Sequence, residues 1–223
     1  MTKVVTVKRR ALAANEERAD RLRARFAASG TLVANLISSP GSGKTTLLEA
    51  TVRALDGELT TAVIEGDVAT ENDADRIRAL GVPAHQILTG GACHLDARLV
   101  ETGIEEGGLP DVDVLFIENV GNLICPTTYD LGEDFKIVLL SVAEGDDKPV
   151  KYPAIFARAE VAVITKSDLL PHVPFDLDSV KSQIASLNPN GAVIVTSSLQ
   201  GDGVDEWLDL LRARLQAKRQ SQG

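Results

Sequence analysis

The chain has 223 residues, 44% of them hydrophobic and 25% charged, with a formal net charge of −9. That is the balance of an ordinary globular protein with a full core, and its acidity argues against nucleic-acid binding. Two cysteines cannot build a disulfide framework, MTKVVTVKRR lacks the apolar segment of a signal peptide, and no apolar run approaches the roughly 20 residues that cross a bilayer. A cytoplasmic setting with no membrane partner is therefore expected.

From about Val4 to Ser29 the chain is polar, with a narrow apolar stripe at Leu22 and Phe26. This pattern predicts a helical extension over residues 1–30, ahead of one domain over 31–223. Six short apolar runs follow: TLVANLIS (31–38), TTAVIEG (60–66), VDVLFIEN (112–119), FKIVLLSV (135–142), VAVITK (161–166) and AVIVTSS (192–198). They are β-branched and nearly continuous, as strands covered on both faces are. Helical patterns such as ENDADRIRAL, DLDSVKSQIASL and VDEWLDLLRARLQA lie between them. The alternation predicts an α/β fold: a mostly parallel sheet with helices on both faces.

The first strand runs into Ser38-Ser39-Pro40-Gly41-Ser42-Gly43-Lys44-Thr45-Thr46 and then a helix. This matches the phosphate-loop pattern G-x-x-x-x-G-K-[ST], with Ser38 in place of the first glycine. Gly41 and Gly43 let the backbone curl so that N–H groups of the Gly41–Thr46 stretch converge on phosphate oxygens. The helix start adds a positive dipole end. Lys44 offers a charge to the β and γ phosphates, and Thr45 a hydroxyl to Mg²⁺. The fold expected is that of a P-loop NTPase.

The base is read further on. Thr165-Lys166-Ser167-Asp168 follows a strand and resembles the guanine motif N-K-x-D, with Thr165 replacing Asn. A carboxylate at Asp168 accepts from both guanine N1–H and the exocyclic amine, and adenine offers no such pair. Lys166 covers the base with its alkyl stem. Ser198 and Leu199, after the last strand, resemble a small-residue base-contact loop. GTP is therefore expected over ATP. Asp67 and Glu118, both at strand ends, point toward the nucleotide crevice and complete the Mg²⁺ environment with Thr45. Glu118-Asn119-Val120-Gly121 looks like a D-x-x-G switch with Glu for Asp. Lys44, Asp67 and Glu118 are the expected catalytic set.

Cys93 and His94 are neighbours in GGACHLDA, after a Gly-Gly turn. As a dipeptide they carry little. The other cysteine, Cys125, lies just past Gly121, so both thiols fall on loops at the nucleotide end of the sheet. Two thiolates and an imidazole suit Zn²⁺ or Ni²⁺ far better than Mg²⁺. Three ligands leave the site open to water or to a second subunit. His85 and His172 stand alone and read as structural or exposed.

Together, ISSPGSGKTTLLE, EGDVATENDADRI, TGGACHLDA, ENVGNLICP and SVAEGDDKPVKYP resemble the HypB family of hydrogenase-maturation GTPases, from about Leu32 to Leu211. The resemblance implies Mg²⁺-dependent GTP hydrolysis and nickel or zinc at Cys93, His94 and Cys125. It also implies dimerisation on GTP or metal, a metallochaperone partner of the HypA type and a hydrogenase large-subunit precursor as client. Lys148 is a candidate to reach the nucleotide across the dimer. Some members carry an N-terminal cysteine motif or a histidine-rich stretch, and MTKVVTVKRRALAANEERAD has neither. The urease counterpart, UreG, has Cys-Pro-His, whereas Cys93-His94 lacks the proline. Two other readings compete: a metal-binding module with structural nucleotide, and a small-molecule phosphotransferase.

Overall fold

The computed structural model describes residues 2–67 and 72–221, with side chains from residue 11 onward. The EGDVATENDADRI segment is thus described except for residues 68–71, and Glu71, where the helical pattern ENDADRIRAL begins, lies outside the described residues. Seven strands form one all-parallel sheet: β1 (Leu32–Ser38), β2 (Thr61–Asp67), β3 (Ala84–Leu88), β4 (Val114–Glu118), β5 (Phe135–Ser141), β6 (Val161–Thr165) and β7 (Ala192–Val195). Their order is β3-β2-β4-β1-β5-β6-β7. The phosphate-loop strand therefore sits mid-sheet, beside the strand that ends in Glu118, with Leu36 opposite Glu118.

Among the described residues, α1 (Thr2–Ser29) precedes the sheet, α2 (Lys44–Leu55), α3 (Asn72–Arg78), α4 (Ala97–Glu106), α5 (Lys148–Lys151), α6 (Pro153–Arg158) and α7 (Leu177–Leu187) lie between strands, and α8 (Val204–Ser221) follows it. Period-2 alternation along β1 splits the core. Leu32, Ala34 and Leu36 face Leu47, Leu48, Trp207 and Leu211 of α2 and α8. Val33 faces the other way, toward Val100 and Ile104 of α4 and Ala19, Leu22 and Phe26 of α1. Ile37 joins Ile155, Phe156, Val180 and Ile184 of α6 and α7. Both sheet faces are covered, which is why the strands read as unbroken apolar runs. Buried Trp207 donates its indole N–H to Thr51 Oγ1 at 2.9 Å, tying α8 to α2.

One strand has no counterpart among the six apolar runs. In β3, Ala84-His85-Gln86-Ile87-Leu88, the first two residues are half-buried and Leu88 is exposed. It is one of the sheet's two edges, where one side lacks a neighbour and the apolar requirement relaxes. His85 sits there against Gly107, and His172 is exposed, as expected of two isolated histidines. The remaining strands end within one to three residues of the apolar runs. No helix among the described residues is long and apolar enough to cross a membrane.

Candidate nucleotide cavity and metal cluster

The phosphate loop is closed by its own side chains. Gly43 stands at φ 89°, a left-handed conformation that only glycine adopts without strain, and α2 starts at the next residue. Lys44 Nζ donates to Ser38 Oγ at 2.9 Å, so the serine that replaces the first glycine holds the lysine in place. Ser42 Oγ lies within hydrogen-bond distance of the Ser39 carbonyl (2.7 Å) and of Glu144 Oε2 (3.0 Å). Glu144 also accepts from Ser141 N in a capping box after β5. The Ser141-x-x-Glu144 spacing is a legible capping signal, but nothing in the sequence assigns it to the phosphate loop.

Thr45 Oγ1 shares its proton between the two Glu118 oxygens at 3.1 and 3.2 Å. Lys44 Nζ lies 3.7 Å from Glu118. Burial raises Glu118 above the usual carboxylate range, and the Lys44 charge pulls it back. Glu65 is directly opposite Glu118 in the β2–β4 register. Burial, then the neighbouring Glu118, hold Glu65 well above that range. Glu65 Oε1 is buried with no hydrogen-bond partner. An orphaned buried oxygen beside a lysine and two further acids is a polar, cation-ready environment, so these residues fit Mg²⁺. Nothing in the spacing of the sequence motifs points to Glu65. Its only signal is a carboxylate inside an apolar strand, two residues before Asp67.

Lys44, Thr45, Thr46, Glu65, Asp67, Glu118 and Lys166 line one cavity of about 430 Å³, together with Gly41 and Gly43. Asp73 and Arg76 of α3 close its far side. Ser42 is buried behind the loop rather than lining the cavity. On the base side, Thr165 Oγ1 donates to the Ser42 carbonyl at 2.6 Å. The residue that departs from the N-K-x-D pattern thus latches β6 to the phosphate loop. Lys166 takes up φ 59° and donates to the Gly41 carbonyl at 2.7 Å. Asp168 accepts from Ser197 Oγ at 2.6 Å. Ser198 is half-buried and Leu199 is 83% exposed; neither lines the cavity, nor does Asp168.

The candidate metal cluster is assembled from two distant segments. The ligand atoms of Cys93, His94 and Cys125 all lie within 4.8 Å of one another. Cys93 is exposed and Cys125 half-buried. Asp96 caps α4 through Leu99 N at 2.8 Å and so ends the Cys93-His94 loop. Cys125 opens a 3₁₀ turn, Cys125–Thr128, and Asn122 Oδ1 accepts from Ile124 N at 2.8 Å just before it. The Cys125 thiol beside it pushes the Cys93 thiol up, with burial second. Burial lowers His94, favouring the neutral, ligating imidazole. Two thiols and a neutral imidazole gathered within 4.8 Å fit a thiophilic divalent cation.

A buried amide joins the two sites. Asn119, next to Glu118, accepts from Leu95 N at 3.1 Å and from Val120 N at 3.0 Å. Its Nδ2 donates to Asn35 Oδ1 at 3.3 Å. Leu95 is the residue after His94. A Cβ at Gly121 would meet Pro40 of the phosphate loop at 2.9 Å, so only glycine lets the 118–121 segment lie there. The chain between Glu118 and Cys125 therefore touches the phosphate loop at Gly121 and the Cys93-His94 loop at Asn119.

Residues 32–195 match the model of the CobW/HypB/UreG nucleotide-binding domain family. The hydrogenase maturation factor HypB of Escherichia coli K12 is 50% identical over 200 residues, which are 90% of this chain and 69% of that one. The structure of HypB from Archaeoglobus fulgidus superposes with a TM-score of 0.86 at 40% identity, covering 92% of this chain and 100% of that one. HypB from Helicobacter pylori in complex with nickel gives 0.85 at 42% identity, covering 93% and 96%. Likeness of this extent, in sequence and in backbone, means that the chain has the P-loop NTPase fold and belongs to the HypB family of hydrogenase maturation factors.

Proposed function

We infer that the chain is a GTP-hydrolysing nickel metallochaperone that assists nickel insertion into [NiFe]-hydrogenase, and that it couples nucleotide state to metal binding and dimerisation. Carrying this reading is the convergence of Cys93, His94 and Cys125 within 4.8 Å, tied through Asn119 to the strand end that bears Glu118. The nickel complex of the H. pylori relative supports Ni²⁺ as the cargo, and the same donor set accepts Zn²⁺.

In the reaction, GTP and water give GDP and phosphate. Lys44 binds the β and γ phosphates, where negative charge shifts onto the leaving oxygen. Backbone N–H groups of Gly41, Ser42, Gly43, Thr45 and Thr46 cradle the phosphates. Asp168 accepts from guanine N1–H and the exocyclic amine, Lys166 covers the ring, and the backbone at Ser198 and Leu199 closes the base pocket. Thr45, Asp67 and Glu118 would hold Mg²⁺, which would neutralise charge on the phosphate oxygens. In the GTP state Gly121 N–H approaches the γ-phosphate. The 118–125 segment moves with it and sets the distance of Cys125 from Cys93 and His94.

The second subunit or water completes the three-ligand site, and Lys148 reaches across the dimer. The partners are a HypA-type metallochaperone and the hydrogenase large-subunit precursor, in the cytoplasm, with no nucleic acid. The test is a Ni²⁺ titration of the GDP form and of a form with a non-hydrolysable GTP analogue, with mass measured in each. A difference in affinity or dimer fraction is expected, and equality of both sinks the coupling. Phosphate release over many turnovers separates the enzyme from a module with structural nucleotide.

A further inference from the structure

Helix α1 reaches the metal cluster through one residue. Asn15 is buried, with 6% of its surface exposed, on the same stripe as Ala19, Leu22 and Phe26. Those three are apolar and pack against α4 and the sheet. Asparagine is a poor helix former, and a buried amide is costly unless both its ends are bonded. Here both are. Asn15 Oδ1 accepts from Ala97 N at 2.9 Å, and Asn15 Nδ2 donates to the Asp130 carbonyl at 2.8 Å.

These two bonds fall on the two ligand-bearing segments. Ala97 is three residues after His94, at the first turn of α4. Asp130 is five residues after Cys125, beyond the 3₁₀ turn. The residue before Asp130 is Tyr129, whose ring lies against His94 at a centroid distance of 3.9 Å. Asn15 thus fixes one backbone point on the Cys93-His94 side and one on the Cys125 side. The aromatic contact between those sides orients the imidazole. His94 and Cys125 are 31 positions apart with both cysteines free, and the two hydrogen bonds of one α1 side chain hold their segments together.

We propose that Asn15 is a positioning residue of the metal site, a strut from α1 that holds the Cys93-His94 loop and the Cys125 segment at ligating distance. This rests on Cys93, His94 and Cys125 being the nickel ligands. It adds that α1 is part of the site, so that displacing α1 loosens the metal.

The experiment uses the full chain in its GDP form, titrated with Ni²⁺ and read by thiolate-to-nickel charge-transfer absorption. Asn15→Ala removes both bonds. Asn15→Asp keeps the acceptor for Ala97 N and loses the donor to Asp130. Arg23→Met removes the Arg23–Asp130 ion pair (2.6 Å) on the same helix and leaves the amide bridge intact. Partners beyond the ligand shell typically change metal affinity about 10–100-fold. Both Asn15 variants are expected to bind Ni²⁺ at least about tenfold more weakly, with a shifted charge-transfer band and GDP affinity within about twofold. Arg23→Met is expected to lower the melting temperature without moving Ni²⁺ affinity. Unchanged Ni²⁺ affinity in Asn15→Ala overturns the proposal, and so does a loss that merely tracks melting temperature across all three variants.

If the Asn15 variants do not fold, wild-type hydrogen exchange decides. Ni²⁺ is expected to slow exchange at the Ala97 amide, and no change there overturns the strut. Cys125→Ala, run alongside, separates the two failures. If that variant binds Ni²⁺ as wild type does, the ligand assignment itself is wrong and the strut falls with it. If it loses Ni²⁺ while Asn15→Ala does not, only the strut fails.

Discussion

The phosphate cradle and the Cys93/His94/Cys125 cluster lie at the same end of the sheet, yet one is a contiguous loop with buried polar side chains and the other gathers exposed and half-buried side chains from two remote segments. In the cradle, the buried side chains of Ser38, Ser42, Lys44 and Thr45 bond to one another, to buried Glu118 or to half-buried Glu144. Its geometry is held by the loop itself, a strand before it and a helix after it. In the cluster, Cys93 is exposed and its nearest fixed points are supplied by others: Asn119 at Leu95, Asn15 at Ala97 and Asp130. A rigid site suits a step in which charge must be met without rearrangement. A site hung from outside elements suits an ion that must be given up.

Separate replacements ought to break the two sites apart, and the largest effect is in the cradle. Lys44→Ala removes the positive charge at the γ-phosphate, and loss of one such stabilising group costs about 10²–10³ in turnover. Phosphate release is expected to fall by that factor while Ni²⁺ affinity of the GDP form stays put. A parallel loss of Ni²⁺ affinity shows that the two sites are one cooperative unit.

The next effect sharpens the base side of the comparison. Asp168 already accepts from Ser197 and presents carboxylate oxygen toward the base loop. Asp168→Asn replaces one of two acceptor oxygens with a donor, which leaves the guanine exocyclic amine facing another N–H and matches the carbonyl that xanthine carries at that position. GTP affinity is expected to drop by about 1.5–3 kcal/mol, the worth of a hydrogen bond to a charged group, with XTP affinity rising. Nucleotide competition binding measures both. An unchanged GTP preference moves base recognition away from Asp168 and reopens the phosphotransferase reading.

What was readable in the sequence follows the same division. The parallel sheet was legible because both faces of β1, β4, β5 and β6 are covered and leave continuous apolar runs. The phosphate loop was legible because its chemistry is packed into nine consecutive residues, and the cysteine pair because the chain holds only two. The edge strand β3 was not, since Ala84-His85-Gln86 carries no apolar run. Asn15 and Asn119 were not, since a buried amide looks like any surface amide until its partners, 82 to 115 residues away for Asn15, are known. Glu65 is not legible because it sits inside an apolar strand, where a polar residue looks like an interruption. Pairing register, not spacing, puts it beside Glu118.

Glu65 also gives the smallest effect, and one with a definite sign. Burial, then Glu118, hold its folded-state value well above the usual carboxylate range. Its contribution to stability is therefore fully present below the unfolded value, about 4.3 for a free glutamate. Above that value the unfolded chain releases the proton while the folded chain keeps it, so the contribution is lost as pH rises through the folded value. Glu65→Gln places a neutral group of the same shape against Glu118, and its amide donates where the carboxylic acid had to. Without nucleotide or Mg²⁺, the variant is expected to melt about 2–4 °C above wild type at pH 8, the shift of about 1 kcal/mol in a chain of this size, and the two curves are expected to converge near pH 4. Scanning melting temperature against pH for both proteins measures this. A constant offset at every pH locates the effect in packing rather than in the proton. No offset at any pH means that the cradle's second acid is not held protonated, and the buried, self-contained character drawn for that site then stops at Glu118.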